Sequence, residues 1–483
     1  MNKIIKTGML AAAIAFTGIS CSDDFVEREF SQEVTQGPLT SINEVQAFVR
    51  GGYVSLRSNT YYGADFLAYA EVRSDEMLSN LAGGYYQNVY NYTMLSNDAY
   101  AVNTYTQIYA MIAKMNILIN TDMSTIGGSD LDRQDARYAQ GQAYAMRAMG
   151  FFDAHRLYGQ KYTGGTLGVV LPLKYDPKAL MPRATIAETE AQIDADFTKG
   201  LQLMTANGSA ANVTKTELTI NALKGMMSRF YLYKGDYAKV RSLTNDIVAS
   251  GKYAVASAGL LQETFRFSLN GAAPNSIFEL AVGINASLST DSYRQRLNPN
   301  GYGNIVVKPE ALAAYAANDV RRSFITTASG QRYLSYNSNA NGIGKYTQGV
   351  GADNIKMLRY EEILLNGVEA ELNGGDAAKA LAYYKQIVGN RLTDIKDANG
   401  NVTQTVQQQL DAITSVDMAM LKKERMKELL GEGLRQWDLR RWGDPVPRPA
   451  GAKTDVNLNA FPIPRAETDI ANSPVQPNPG YDN

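Results

Sequence analysis

Lys422–Trp442 reads KKERMKELLGEGLRQWDLRRW, and the fold turns on how that stretch is taken. Leu421, Met426, Leu429, Leu430, Leu434 and Trp437 recur at helical spacing and predict one apolar stripe. Beside it runs a charge ladder, Glu432, Arg435, Asp438 and Arg441, each three residues from the next. That spacing lets neighbours pair along a helix face, so Arg435 and Asp438 are expected to form a buried ion pair. Gly431 and Gly433 are costly inside a helix, which implies that something packs close to the backbone there. Trp437 and Trp442 are the only tryptophans in 483 residues, and they bracket the ladder. The stretch reads as a packed internal brace, not a solvated surface helix.

A second stretch, Ala460–Tyr481 (AFPIPRAETDIANSPVQPNPGY), lies downstream of the first. EGLRQWDLRRWG resembles the signature segment of SusD/RagB-type outer-membrane lipoproteins, and Ala460–Tyr481 resembles that family's C-terminal tail, in the same order. One departure is that Pro477 interrupts the usual Gln-Asn-Pro-Gly, giving Gln476-Pro477-Asn478-Pro479-Gly480. Weaker matches are Pro182-Arg183-Ala184-Thr185 and Asn275-Ser276-Ile277-Phe278-Glu279. The resemblance covers nearly all of residues 21–483. It implies a mainly α, SusD-like fold in which tetratricopeptide-like helix pairs support an irregular, loop-rich lobe. That is one domain, with an N-terminal part to about residue 250 and a C-terminal part from about 251. The implied role is a non-catalytic, cell-surface lipoprotein that captures oligosaccharides and passes them to a SusC-like TonB-dependent transporter. Oligopeptide is the alternative ligand, and a polymer-degrading enzyme a more distant reading.

Residues 1–20 read as a lipoprotein signal peptide. Lys3 and Lys6 form its basic start, and Met9–Phe16 is an apolar run too short to cross a bilayer. Gly18-Ile19-Ser20-Cys21 resembles a lipobox, with Gly18 where Leu is usual, and makes Cys21 the lipidated residue. Ser22-Asp23-Asp24 resembles the surface-export signals of Bacteroidetes lipoproteins. The expected location is the outer membrane, facing the exterior, with membrane contact through the lipid alone.

Composition narrows the chemistry. Hydrophobic residues make up 45% and charged residues 20%, enough for a large packed core. Without Lys3 and Lys6 the 47 basic residues become 45 against 48 acidic ones, a formal charge of −3. Nothing there predicts a nucleic-acid partner. A single cysteine excludes internal disulfides, and a single histidine excludes a His-rich metal centre. His155, in FFDAHRLYG, reads as a core residue. No catalytic residue, cofactor or metal is predicted. Asn337–Gly342 has the spacing of a calcium loop, but its side chains are neutral and Gln348 stands where the bidentate Glu belongs. It reads as a surface loop.

What remains is recognition by tyrosine. Of 30 tyrosines, ten fall between Tyr61 and Tyr109, and aromatic planes stack on sugar rings while polar groups fix hydroxyls. Gly83-Gly84 should break regular structure and present Tyr85 and Tyr86 on a loop. The candidate ligand contacts are Tyr85, Tyr86, Tyr90, Tyr293, Tyr302 and Tyr336, with Tyr333 beside the last. Asp75 is the best-placed carboxylate.

The rest of the chain is scaffold. Ser41 is a plausible N-cap for a helix over Ile42–Leu56. Leu223–Val248 and Ile363–Val388 share a plan: an apolar helix, Gly-Asp, then a second helix, as in tetratricopeptide units. Their separation predicts inserted segments between them. Residues 166–183 and 251–357 read as irregular, with a short strand near Ile277–Ala281. Asp397-Ala398-Asn399-Gly400 reads as a turn.

Overall fold

The structure, a computed structural model, describes residues 37–208, 214–336 and 342–482. Cys21 and Asn337–Asn341 therefore lie outside the described residues. Thr40–Asn483 forms one unit, and residues 37–39 precede it without regular structure.

The long helices begin where polar caps meet apolar runs. Ser41 accepts the Glu44 amide and the Glu44 side chain answers the cap backbone, which starts helix Ile42–Leu56. The same reciprocal box starts Asp130–Tyr158 from Ser129 and Ile186–Asn207 from Thr185. Each box satisfies amides that a helix start leaves unpaired. Asp130–Tyr158 packs along both Ile186–Asn207 and Ala99–Ile119, and the fold is mainly α. His155 is buried in that helix with its ring edge-on to Tyr233.

Both Gly-Asp helix pairs are present. Ile220–Lys234 turns into Tyr237–Ala249, and Tyr360–Leu372 turns into Ala377–Val388. Asp236 and Asp376 cap the second helix of each pair by accepting backbone N–H groups. The inserted stretch does not keep the pairs apart, because Tyr237–Ala249 packs directly on Tyr360–Leu372. The described residues of 251–357 loop out between them as short helices, turns and two-stranded pairings. One strand, Ser276–Leu280, pairs antiparallel with Ile355–Arg359. Further on, Ile395–Lys396 and Val402–Gln404 flank the Asp397–Gly400 turn.

The signature stretch differs from the continuous helix its periodicity predicts. It forms two helices, Met418–Leu429 and Arg435–Trp442, joined by a turn in which Gly431 and Gly433 take φ of +76° and +75°. Only glycine adopts that conformation without strain. The expected close packing is also there: a Cβ on Gly431 would lie 2.2 Å from Leu334 Cδ2, and one on Gly433 2.6 Å from Leu67 Cδ2.

Because the helix breaks, the charge ladder pairs differently. Glu432 accepts from Arg359 and Lys345. Asp438 is held by Arg425 at 2.9 Å and by Arg441 at 2.7 Å, not by Arg435. Nearby, Glu428 receives Arg321, Arg359 and Arg391 at 2.8–2.9 Å, all buried. Burial alone would raise its carboxyl, yet Arg391 and Arg359 hold it well below the ordinary range. The brace is thus a buried ionic hub, where removing one partner strands the others.

Candidate functional site

The hub bears on one short segment. Helix Asp65–Val72 ends beside the signature turn, where Glu71 Oε1 accepts the Gly433 N–H at 2.6 Å. Four residues on, Asp75 takes both Arg435 Nε and Nη2 at 2.7 Å. Ser74 Oγ donates to the Glu71 carbonyl and accepts the Glu76 amide. The turn between helix and strand is therefore fixed from two sides. Asp75, expected as a ligand contact, spends its carboxylate on Arg435 although it is 32% exposed.

Strand Met77–Ser79 follows and pairs antiparallel with Ile305–Val307. The ladder continues into the loops. The Asn80 amide donates to Asn304 O, and Asn80 Nδ2 donates to Gly303 O, each at 2.9 Å. Asn304 Nδ2 and Ser79 Oγ both donate to the Tyr85 carbonyl. Two loops distant in sequence, 80–86 and 298–304, are stitched together by these bonds.

The first loop has an unusual backbone. Leu81 and Tyr86 take φ of +65° and +56°, and Gly83 and Gly84 between them are also left-handed. Non-glycine residues pay for that conformation and hold it where the surroundings over-determine it, often at ligand sites. The result is that Tyr85 points out and Tyr86 points in. Tyr85 lies half-buried against Tyr302, their ring centres 4.6 Å apart at 46°, and Tyr302 is 40% exposed. Leu81 stands exposed on the same loop. Under the two rings lies Arg296, its Cζ 4.0 Å from the Tyr85 centre and 4.8 Å from that of Tyr302.

The other candidates separate into two groups. Tyr86 is fully buried: its hydroxyl donates to Asp65 Oδ1 at 2.8 Å, and its ring stacks on Tyr100. Burial pushes the Asp65 carboxyl up to about 6. Tyr293 is buried edge-on to Tyr346, and Tyr333 is buried beside Gly303. Tyr86 and Tyr293 are thus foundation, not contact surface, because each ring is enclosed by its neighbours. Tyr90 and Tyr336 are half-buried, on a helical turn and a short strand respectively. Neither joins the Tyr85–Tyr302 pair by a ring contact. The residue that sequence reasoning missed is Arg296. Its only signal was its place between Tyr293 and Tyr302 in an arginine-rich stretch, YRQRLNPNGY.

Two tilted rings in contact, carried on two joined loops, can stack on a planar or pyranose face. Among the described residues no helix is long and apolar enough to cross a membrane.

Comparisons with known proteins agree on the fold. A family model of SusD-like proteins, described as starch-binding and associating with the outer membrane, matches residues 32–232. A SusD family model matches residues 318–465. A SusD-like protein of Formosa agariphila is 21% identical over 201 residues, 42% of this chain; the match spans 36% of that relative's length. A SusD superfamily structure from Bacteroides vulgatus superposes with a TM-score of 0.76 at 23% identity, covering 92% of this chain and all of that one. Another, from Bacteroides thetaiotaomicron, gives 0.75 at 22% identity, covering 91% of this chain and all of that one.

Proposed function

The chain belongs to the SusD/RagB family, and from that premise we propose that it is a cell-surface glycan-binding protein without catalytic activity. The observation that carries the reading is the Tyr85–Tyr302 pair, two rings 4.6 Å apart on loops tied together by hydrogen bonds from asparagine side chains to backbone carbonyls. A preformed aromatic platform suits a sugar because little ordering remains to be done on binding. The brace supports the reading indirectly, since Glu71 and Asp75 hold the strand from which the platform loop springs.

In the fuller form of the proposal, Cys21 carries the lipid anchor. The protein then passes captured oligosaccharide to a SusC-like TonB-dependent transporter. Tyr90 and Tyr336 serve as outlying contacts for a longer ligand. Oligopeptide is the second reading, favoured by the hydroxyls at the rim of a tyrosine platform.

The test is calorimetric binding to a panel of soluble polysaccharides and peptides, with wild type and a Tyr85→Ala/Tyr302→Ala double variant. Binding to a polysaccharide that the double variant loses, without turnover, is the expected result. Unchanged affinity in the variant sinks the platform, and product release sinks the binding-only reading. Membrane fractionation of Cys21→Ala tests the anchor: a variant that stays with the membrane argues against it.

A further inference from the structure

Arg296 sits on the short helix Tyr293–Leu297 and is 5% exposed. Most buried arginines of the ionic hub are consumed by carboxylates, as Arg321, Arg359 and Arg391 are. Arg296 is different. Its Nε and Nη1 are buried without a hydrogen-bond acceptor, and among the described residues it is the only arginine with two such nitrogens. Its Cζ instead lies against aromatic faces, at 4.0 Å from Tyr85, 4.8 Å from Tyr302 and 6.0 Å from Tyr86.

A guanidinium left short of acceptors turns its charge on the nearest π faces, and the attraction grows when the pair is desolvated. Here the faces come from two different loops. The cation therefore contacts both rings of the platform at once. Behind it, Tyr86 is fixed by Asp65 and Tyr100, so the whole stack rests on buried, hydrogen-bonded residues. Tyr302 is 40% exposed and Tyr85 half-buried, so the pair presents aromatic surface on the side away from the cation.

We propose that Arg296 is the positioning residue of this site: it locks Tyr85 and Tyr302 into one platform before any ligand arrives. The inference rests on the glycan-platform reading above, and it adds a role for a residue that does not touch the ligand. The electrostatics of the pair agree. The Tyr302 hydroxyl first, and the Arg296 guanidinium after it, hold the Tyr85 hydroxyl below the ordinary phenol value. This supplies a spectroscopic handle independent of binding.

The experiment uses the full chain in three forms: wild type, Arg296→Met and Arg296→Lys. Tyrosinate absorbance is followed through an alkaline titration, with Tyr85→Phe identifying the early-titrating tyrosine. Affinity for soluble starch, laminarin, xylan and pectin is measured by calorimetry. Arg296→Met is expected to move the Tyr85 titration upward and to weaken binding roughly tenfold, the scale of a desolvated cation–π contact. Arg296→Lys should recover most of both, since an ammonium keeps the charge. A Met variant that titrates and binds as wild type does overturns the proposal, as does a Lys variant no better than Met. Should Arg296→Met fail to fold, Tyr302→Leu takes its place: Tyr85 must then titrate later, and an unmoved titration refutes the coupled platform. If wild type binds none of the polysaccharides, the glycan reading fails, while the titration still decides the role of Arg296.

Discussion

Arg435 and Asp75, 360 residues apart in sequence, meet in a two-point ion pair with both N···O distances at 2.7 Å. The pair joins the signature helix to the segment that leads into the tyrosine loop, and Arg435 Nη1 also donates to the Lys422 carbonyl. A fork-to-fork guanidinium–carboxylate contact fixes direction as well as distance. It therefore sets the angle at which strand Met77–Ser79 leaves the scaffold.

Arg435→Ala should destabilise the protein by about 2–3 kcal/mol in urea unfolding. This sits at or below the low end for a fully buried pair, because Asp75 is 32% exposed and screened. Asp75→Asn should cost less, since Arg435 keeps the Lys422 carbonyl. An unchanged midpoint in Arg435→Ala would show the pair to be ornamental.

The reason this partner could not be read from the sequence is the turn at Gly431 and Gly433. A three-residue ladder pairs with itself only if the helix is continuous, and two left-handed glycines end it. Periodicity reports which residues are apolar, not where the backbone turns. The helix pairs were legible for the opposite reason. Asp236 and Asp376 cap helices by local bonds that need no distant partner. The platform lay between these cases. Tyr85 and Tyr302 were each visible as loop tyrosines, but three-residue strands carry no periodic signal to pair Met77–Ser79 with Ile305–Val307. Adjacent Tyr85 and Tyr86 could not be told apart without the φ of +56° at Tyr86.

That turn yields the next prediction. Gly433→Ala would force φ of +75° on a residue with a Cβ and place that Cβ 2.6 Å from Leu67 Cδ2 and 2.9 Å from Leu67 Cα. The second contact is to backbone, which cannot swing aside. The expected cost is roughly 3 kcal/mol, combining left-handed strain with overpacking. A thermal midpoint within a degree or so of wild type would contradict the close approach.

Within the platform, Tyr302→Ala and Tyr86→Phe should part company. Tyr302→Ala removes an exposed ring and should weaken glycan binding about tenfold with little change in stability. Tyr86→Phe takes the donor from buried Asp65 and should cost about 1–2 kcal/mol of stability. Calorimetry beside denaturant unfolding separates the two, and the reverse pattern would exchange contact and foundation.

Glu71 and Glu76 give the stability a pH dependence. Both are buried at the end of helix Asp65–Val72, and Glu76 has no hydrogen-bond donor on either oxygen. Burial pushes Glu71 up to about 6, and burial with the Glu71 charge pushes Glu76 well above its ordinary 4.5. Both shifts are upward, so the folded state holds protons that the unfolded chain has released. Their contribution is complete below about pH 4.5 and is lost as pH rises through 6 and beyond. Glu76→Gln keeps the shape of the neutral acid and ends its titration. Its midpoint should match or fall below wild type at pH 4.5 and exceed it at pH 8. A difference that does not grow with pH would rule out the upward shift.

The C-terminal tail gives the last prediction, at the place where the chain departs from its family's pattern. Pro477 interrupts the motif, yet Asn478 is 1% exposed and its amide makes four bonds. Its Oδ1 accepts from Gln160 Nε2 at 3.0 Å and from Arg183 Nη1 at 2.8 Å. Its Nδ2 donates to the Tyr158 and Phe461 carbonyls, each at 2.8 Å. One side chain thus ties the tail to the end of the long helix Asp130–Tyr158 and to the short strand Arg183–Thr185. Asn478→Ala leaves two donors and two carbonyls without this partner in a dry site, which should cost about 3 kcal/mol. Asn478→Asp is the sharper variant. Its carboxylate can still accept from Arg183 but has no proton to offer the two carbonyls, so it should remain destabilised at neutral pH and recover in part as the pH falls and the carboxyl regains a donor. Equal stability of Asn478→Asp and wild type at pH 7 would mean that the amide's two donated bonds carry no weight.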